Sequence, residues 1–182
     1  RQLRRAGIHV VMMTGDNRDT ARSIAESCGI RGQGVDTVVD SEELARMSDD
    51  RVREILPRLG VVARALPTDK SRLVRIAQEA ELVVGMTGDG INDAPALARA
   101  DIGISMGLSG AQSAIEAADV VLTDDNPEKI ATAIKISQKT VRIARQNIYI
   151  SLLVKFAVII LSAIGVLTPV TGALLHNCTS VL

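Results

Sequence analysis

The amino-acid sequence predicts an α/β fold, a parallel sheet with helices on both faces, followed by transmembrane α-helices. Three observations carry this. Up to about residue 125, short apolar runs alternate with stretches of helical periodicity, the pattern of parallel strands joined by crossover helices. The apolar runs are continuous, as in Leu82-Val-Val-Gly-Met86, which suits strands buried on both sides. Residues 148–167 are almost wholly apolar, and 20 such residues in a helix match a bilayer core of roughly 30 Å.

Taken in order, strands are expected at 8–13, 60–65, 82–86, 101–106 and 119–122, and helices at 17–28, 68–80, 92–100 and 110–117. The polar segment 31–60 reads as two short helices in a surface insertion, capped at Asp40-x-x-Glu43 and at Ser48. A long helix is expected from Pro127, with Asp124 and Asp125 as its caps. Its Lys135, Lys139, Arg142 and Arg145 are spaced by 4, 3 and 3 and share one face. Alone they read equally as a solvated face. Before the apolar run they place residues 1–147 on the cytoplasmic side. Lys155 is the charge inside that run, close enough to its start to snorkel. A buried helix of a soluble protein has the same composition. Thr168-Pro169 breaks the pattern, and residues 168–182 begin a second apolar segment too short to span.

Composition narrows the classes. Lys+Arg and Asp+Glu both number 21, so nothing points to a nucleic-acid partner. One Tyr and one Phe leave an aliphatic core. Cys28 and Cys178 have no metal-ligand or disulfide spacing, which suits a reduced, cytosolic domain, and Cys28 at a helix end reads as packing. His9 on a strand reads as a core or edge residue. The chain opens on Arg1 within a helical pattern and shows no signal peptide, so an interior piece of a longer protein is expected.

Two loops hold the chemistry. Met13-Thr14-Gly15-Asp16-Asn17 follows one apolar run, and Met86-Thr-Gly-Asp-Gly-Ile-Asn-Asp-Ala-Pro95 follows another. Ligands of open α/β sheets bind beyond the carboxyl ends of the strands. Gly15 lets backbone approach a phosphate, the helix after Asn17 offers free N–H groups, and the Thr14 hydroxyl adds a donor. Asp16 reads also as an N-cap. Lys70 stands near a helix N-terminus, where the dipole disfavours a cation, so an anionic ligand is the reason for its placement. Arg72 and Arg75 read as solvated. Asp89, Asn92 and Asp93 crowd one loop. Hard oxygen ligands beside a helix start suit Mg²⁺ next to a phosphoryl group. An Asx-turn with a cap is the plainer reading, and it accounts for one of the three.

The segments MTGDNRDTARSIAESCGI (13–30), ARALPTDKSRLV (63–74), MTGDGINDAPALARADIGISMG (86–107) and AIEAADVVLTDDNPEKI (114–130) resemble the C-terminal half of the catalytic region of P-type cation-transporting ATPases. The resemblance implies a Rossmann-like, haloacid-dehalogenase-type phosphorylation domain over 1–126, with a variable insertion at about 31–60. A basic linker helix (127–147), a transmembrane helix (148–167) and the start of another (168–182) would follow. It implies that Thr14 and Gly15 hold phosphate, with Asp16 near the nucleotide of ATP. Lys70 and Asn92 would contact the phosphate, Asp89 would ligate Mg²⁺, and Asp93 would support the metal's shell. The family's nucleophilic Asp, in a DKTGT motif, has no counterpart string here, nor has its TGE motif. This stretch alone should not turn over ATP. Its expected partners are the nucleotide-binding, actuator and membrane domains of the same pump, the lipid bilayer and the transported cation. The expected location is the cell membrane, as a multi-pass protein.

The order of catalytic domain, basic helix and apolar span resembles the heavy-metal-transporting subgroup, in which two membrane helices follow the catalytic domain. There the last helix can carry a His-Glu-Gly-x-Thr motif. Here His176-Asn177-Cys178-Thr179-Ser180 departs from it at Asn177 and Cys178. His176 and Cys178 suit a borderline metal such as zinc, cadmium or cobalt, and equally the polar residues could hold helices together. The 31–60 segment looks more like the calcium-type pumps, which stand as the alternative. A free-standing haloacid-dehalogenase-type phosphatase is a third reading. It would need an Asp-x-Asp strand that residues 1–8 lack.

Overall fold

The computed structural model describes residues 2–30, 32, 34–124, 126 and 128–181, and the side chains of Gln2, Pro169, His176 and 178–181 lie outside it. The chain divides into two compact units, Arg1–Lys129 and Ile130–Leu182.

In the first unit, α1 (Gln2–Arg5) is tied down by the Arg4 guanidinium, which donates to the carbonyls of Gly29, Ile30 and Gly32. Strands β1 (Met12–Met13), β2 (Thr37–Asp40) and β3 (Leu59–Ala63) form a parallel sheet in the order β1-β3-β2. Helix α2 (Arg18–Ser27) covers one face, setting Ala21 and Ala25 against Val61 and Ala63. The other face carries α3 (Ser41–Arg46), α4 (Asp49–Ile55) and α5 (Pro67–Glu79). There Leu44, Val52, Leu56, Leu73 and Ile76 close on Val39, Leu59 and Val62. This aliphatic cluster is the larger of the apolar cores, as the scarcity of aromatic residues requires.

A second parallel sheet has the order β4 (Gly85–Gly88), β5 (Ile102–Met106), β6 (Val120–Leu122). Helices α6 (Ala94–Arg99) and α7 (Gln112–Ala117) cover one face, packing Ala96, Leu97 and Ala114 on Met86. The opposite face exposes Ile102 and Val120. Helices on both faces are thus a property of the first sheet, while the second is covered on one. Met13 touches both cores without β1 and β4 pairing, so one expected sheet is two sheets side by side.

Segment 31–60 is more than an insertion of two helices. Thr37–Asp40 forms β2 within the sheet, a strand short enough to be missed in a polar stretch. The two helices do follow, capped as expected. The Glu43 carboxylate accepts from the Asp40 N–H at 3.1 Å, and Ser48 Oγ accepts from the Arg51 N–H at 3.3 Å. Arg72 and Arg75, expected to be solvated, are half-buried and paired. Arg72 donates to the carbonyls of Leu44 and Met47, both at 2.7 Å, and both arginines bind Asp49. These bonds fasten the segment to α5. The Arg75 guanidinium, then that of Arg72, holds the Asp49 carboxyl below its ordinary range. The folded group therefore titrates below the unfolded one, so the pairing stabilises above the usual value of 3.8 and is lost as pH falls below it. Asp49→Asn should lower the melting temperature near neutrality, and the difference should shrink as pH is lowered progressively below 3.8, a comparison that calorimetry reads directly.

Cys28, expected to pack, is the exposed C-cap of α2. His9 is exposed at the sheet margin, its Nε2 2.8 Å from the Leu59 carbonyl. In the second unit, α8 (Glu128–Ala163) is one unbroken helix with mean hydropathy 1.7 over its most apolar 18 residues, of which Val158 alone is buried. It ends four residues before the expected 167, where Gly165 takes a φ of +78°. Asn126 Oδ1 accepts from the Glu128 N–H at its start, while Asp124 pairs with Lys129 instead, and Asp125 lies outside the described residues. Helix α9 (Pro169–Val181) carries His176 and Cys178, whose side chains are outside the described ones.

Candidate functional site

The first loop leaves β1 alongside the end of β3. The Thr14 N–H donates to the Val62 carbonyl at 3.0 Å, and the Thr14 carbonyl accepts from the Ala65 N–H at 2.9 Å. The Asp16 carbonyl accepts from the Arg64 N–H at 2.9 Å. Arg64, with a φ of +51°, turns the chain out of β3 towards α5. The cap of α2 is Asn17, whose Oδ1 accepts from the Thr20 N–H at 3.0 Å. Asp16 is thereby free of capping. Its carboxylate accepts from Thr14 Oγ1 at 2.9 Å, and its own N–H donates back to that oxygen at 3.2 Å. Gly15 is exposed, and a Cβ there would meet nothing within 4 Å.

Lys70 lies on the first turn of α5, which is held from below by a buried carboxylate. Asp69 Oδ2 accepts from the Leu66 N–H at 2.9 Å and from Ser41 Oγ at 2.6 Å. Sequence reasoning passed over Ser41, and its only trace was a serine next to the expected cap Asp40. Lys70 Nζ donates to Asp93 Oδ1 at 2.6 Å, with the side chains 16% and 9% exposed. The other oxygen of Asp93 accepts from the Gly90 N–H at 3.2 Å. The pair joins the start of α5 to the 3-10 turn Ile91–Asp93 that follows β4.

Asp89 and Asn92 are exposed on that second loop. The Asp89 main-chain carbonyl accepts from the Ala111 N–H at 2.7 Å, which anchors the loop to the start of α7. Among the described residues its carboxylate takes no hydrogen bond or ion pair. Thr14, Lys70, Asp89 and Asp93 all therefore follow the carboxyl ends of parallel strands, where such sheets bind ligands.

No three His, Cys, Asp or Glu residues converge among the described residues. That donor set does not make an all-protein metal cage. It does fit Mg²⁺, which takes one or two carboxylates and completes its shell with water and phosphate oxygens. Asp89 offers an open carboxylate, and Asp93 a second one already oriented by Lys70 and Gly90.

Residues 1–101 match the haloacid dehalogenase-like hydrolase family. Over 99% of this chain, a zinc-exporting P-type ATPase of Mycobacterium marinum is 40% identical, the match covering 21% of that protein. A probable plasma-membrane-type calcium-transporting ATPase of rice, Oryza sativa subsp. japonica, is 47% identical over 69% of this chain and 12% of its own length. The crystal structure of a zinc-transporting PIB-type ATPase in an E2.Pi state superposes with a TM-score of 0.75 at 30% identity, over 99% of this chain and 25% of that one. The chain spans an eighth to a quarter of these relatives. The chain belongs to the haloacid dehalogenase-like hydrolases and, within them, is a homologue of the P-type ATPases.

Proposed function

We propose that this chain is the Mg²⁺- and phosphate-binding part of an ATP-driven cation pump that works through an aspartyl phosphate, and that the transported ion is a transition metal such as zinc, cadmium or cobalt. One observation carries the choice of ion. Similarity to the zinc-exporting relative and to the zinc-transporting structure runs through α8 and α9, over 99% of the chain. The calcium-transporting ATPases of rice and of Saccharomyces cerevisiae are more alike, at 47% and 44%, but over 127 and 137 residues, while one of Dictyostelium discoideum is 41% identical over 91% of this chain. Ion choice belongs to membrane segments, and the solved structure that matches over 99% of the chain, both of these helices included, is of a zinc-transporting ATPase. The higher identity over the catalytic part favours the second reading, a calcium-type pump.

The geometry suits the chemistry. Thr14 and Gly15, with the N-terminus of α2, would receive the phosphate, the Thr14 hydroxyl turning its hydrogen from Asp16 to the ligand. Asp16 stays at the nucleotide side of that loop, and Asn92 reaches the phosphate from the other loop. Lys70 would lie between the loops, its ammonium aimed by Asp93 and neutralising charge as phosphate transfers. Asp89 would ligate Mg²⁺ with Asp93 behind it, and the ion would supply Lewis-acid charge neutralisation at the phosphoryl oxygens. The nucleophilic aspartate would come from elsewhere in the same protein. Among the described residues the outer edges of β1 and β4 are unpaired, and Met13 of β1 packs against the cores of both sheets, which supports this. A parallel strand between them would join the sheets and place its carboxyl end among Thr14, Lys70 and Asp89.

The test is the ATPase activity of the full-length protein in lipid vesicles. Stimulation by Zn²⁺, Cd²⁺ or Co²⁺ and not by Ca²⁺ is expected. Stimulation by Ca²⁺ alone would replace this reading by the calcium one, and hydrolysis of simple acyl phosphates with no ion dependence would favour a phosphatase. Contact of His176 or Cys178 with the ion belongs to the same proposal. Cys178→Ser should then shift the half-maximal Zn²⁺ concentration.

A further inference from the structure

Charge is segregated along this chain. All 21 Asp and Glu residues lie at or before Glu128, whereas six of the 21 Lys and Arg residues lie after it. Residues 1–128 thus hold 15 basic against 21 acidic groups, and residues 129–182 hold six basic groups and no acidic one. Lys135, Lys139, Arg142 and Arg145 are exposed on α8. Among the described residues none of the four has an ion-pair or hydrogen-bond partner. They cover an arc of roughly 120° on the helix, at 100° per residue.

Because α8 is unbroken from Glu128 to Ala163, the basic face and the apolar run are one rod, and distances along it follow from the helical rise. Arg145 lies about 4.5 Å and Arg142 about 9 Å before Ile148, where the apolar run starts. Lys139 and Lys135 lie about 13 Å and 20 Å before it. The polar layer on each side of a bilayer core is about 5–8 Å thick. Arg145 therefore falls at headgroup level and Arg142 at its outer edge, within reach of its long side chain, while both lysines lie beyond it, the farther one between one and two Debye lengths of about 8 Å from the headgroups. Tyr149, 71% exposed, sits one residue into the run, where an aromatic ring with a polar tip prefers the interface.

We propose that the basic face of α8 binds the headgroups of anionic phospholipids, with Arg142 and Arg145 as the contacting pair. The proposal rests on α8 crossing a bilayer. A guanidinium presents two parallel donors that match a phosphodiester, and at this depth the competing water is sparse. Lys155, about 10 Å along the run from Ile148, extends towards the same headgroup layer from within. The occupant is a lipid rather than an acidic protein segment because the arginines are placed by the rod at the depth of the phosphates.

The experiment uses the full-length protein in vesicles of phosphatidylcholine containing rising amounts of phosphatidylglycerol, and measures its preference for phosphatidylglycerol by competition between the two lipids. Each basic residue at an anionic surface is worth roughly fivefold in binding, so the double variant Arg142→Gln/Arg145→Gln should lose roughly 25-fold of that preference. Lys135→Gln should change it less than about twofold. An unaltered preference in the double variant overturns the proposal, as does an equal loss in Lys135→Gln. A preference that is absent from the start, with a double variant that melts earlier in pure phosphatidylcholine, also overturns it and points to an acidic protein surface on this face. Alkaline carbonate separates the failures. A protein stripped from the vesicles shows that α8 does not cross the bilayer, whereas one that stays and ignores lipid charge refutes the headgroup site alone.

Discussion

Replacing Lys70 by alanine is expected to destabilise the intact protein by about 3–5 kcal/mol as well as to abolish phosphorylation by ATP. The ammonium is 2.6 Å from Asp93 Oδ1, and both side chains are largely withdrawn from water. Removing one member leaves a carboxylate that is short of solvent and short of a partner, which costs more than the pair contributes. Lys70→Ala/Asp93→Asn should recover part of the stability, since the orphaned charge goes with its partner, and none of the activity. Asp89→Ala makes the instructive contrast. Its carboxylate is exposed and, among the described residues, unpaired, so its loss should leave melting within about 0.5 kcal/mol of the parent. Phosphoenzyme formation with ATP and Mg²⁺ should nevertheless vanish. Normal labelling of Asp89→Ala would refute the assignment of the metal, and unchanged melting of Lys70→Ala would refute the buried pair.

The contrast shows how much of the site was legible in advance. Lys70 stood out because a cation at a helix N-terminus opposes the dipole, and Asp89 because carboxylates crowded one loop. Neither signal says that Asp93 faces Lys70, since that contact spans 23 residues and depends on how α5 packs beside the β4 loop. Arg72 and Arg75 failed for the same reason. Their partner Asp49 sits in a segment whose polarity suggested a detachable insertion, whereas β2 is hydrogen-bonded into the sheet. Caps were legible at Asp40 and Ser48 because they depend on neighbours in sequence. The alternative reading of Asp16 as the cap of α2 lay one residue early, because Asp and Asn are equally good caps and only the fold decides between them. The continuous apolar runs gave parallel strands correctly. They could not give the separation into two sheets, which depends on which strands are adjacent.

Gly88→Ala is expected to disrupt the site through a single added methyl group. A Cβ at Gly88 would lie 2.6 Å from both Cβ and Cγ of Asp93 and 2.7 Å from its Oδ2. These atoms have little freedom, since Asp93 is 6% exposed and tethered to Lys70 and Gly90. Either β4 moves or Asp93 does. Overpacking of this kind costs about 1–3 kcal/mol. The displacement carries the Lys70 ammonium with it, and a shift of about 1 Å in a catalytic group costs on the order of 10²-fold in rate. Gly85→Ala, three residues earlier on the same strand, is the matched control. Its Cβ would meet nothing nearer than the Ile102 carbonyl at 3.9 Å, so melting and phosphorylation should both stay at parental levels. Parallel melting curves and phosphoenzyme yields for the two variants check this. If Gly88→Ala behaved like Gly85→Ala, the close seat of Asp93 against β4 would be wrong. The aiming of Lys70 by Asp93, on which the proposed phosphate chemistry depends, would be wrong with it.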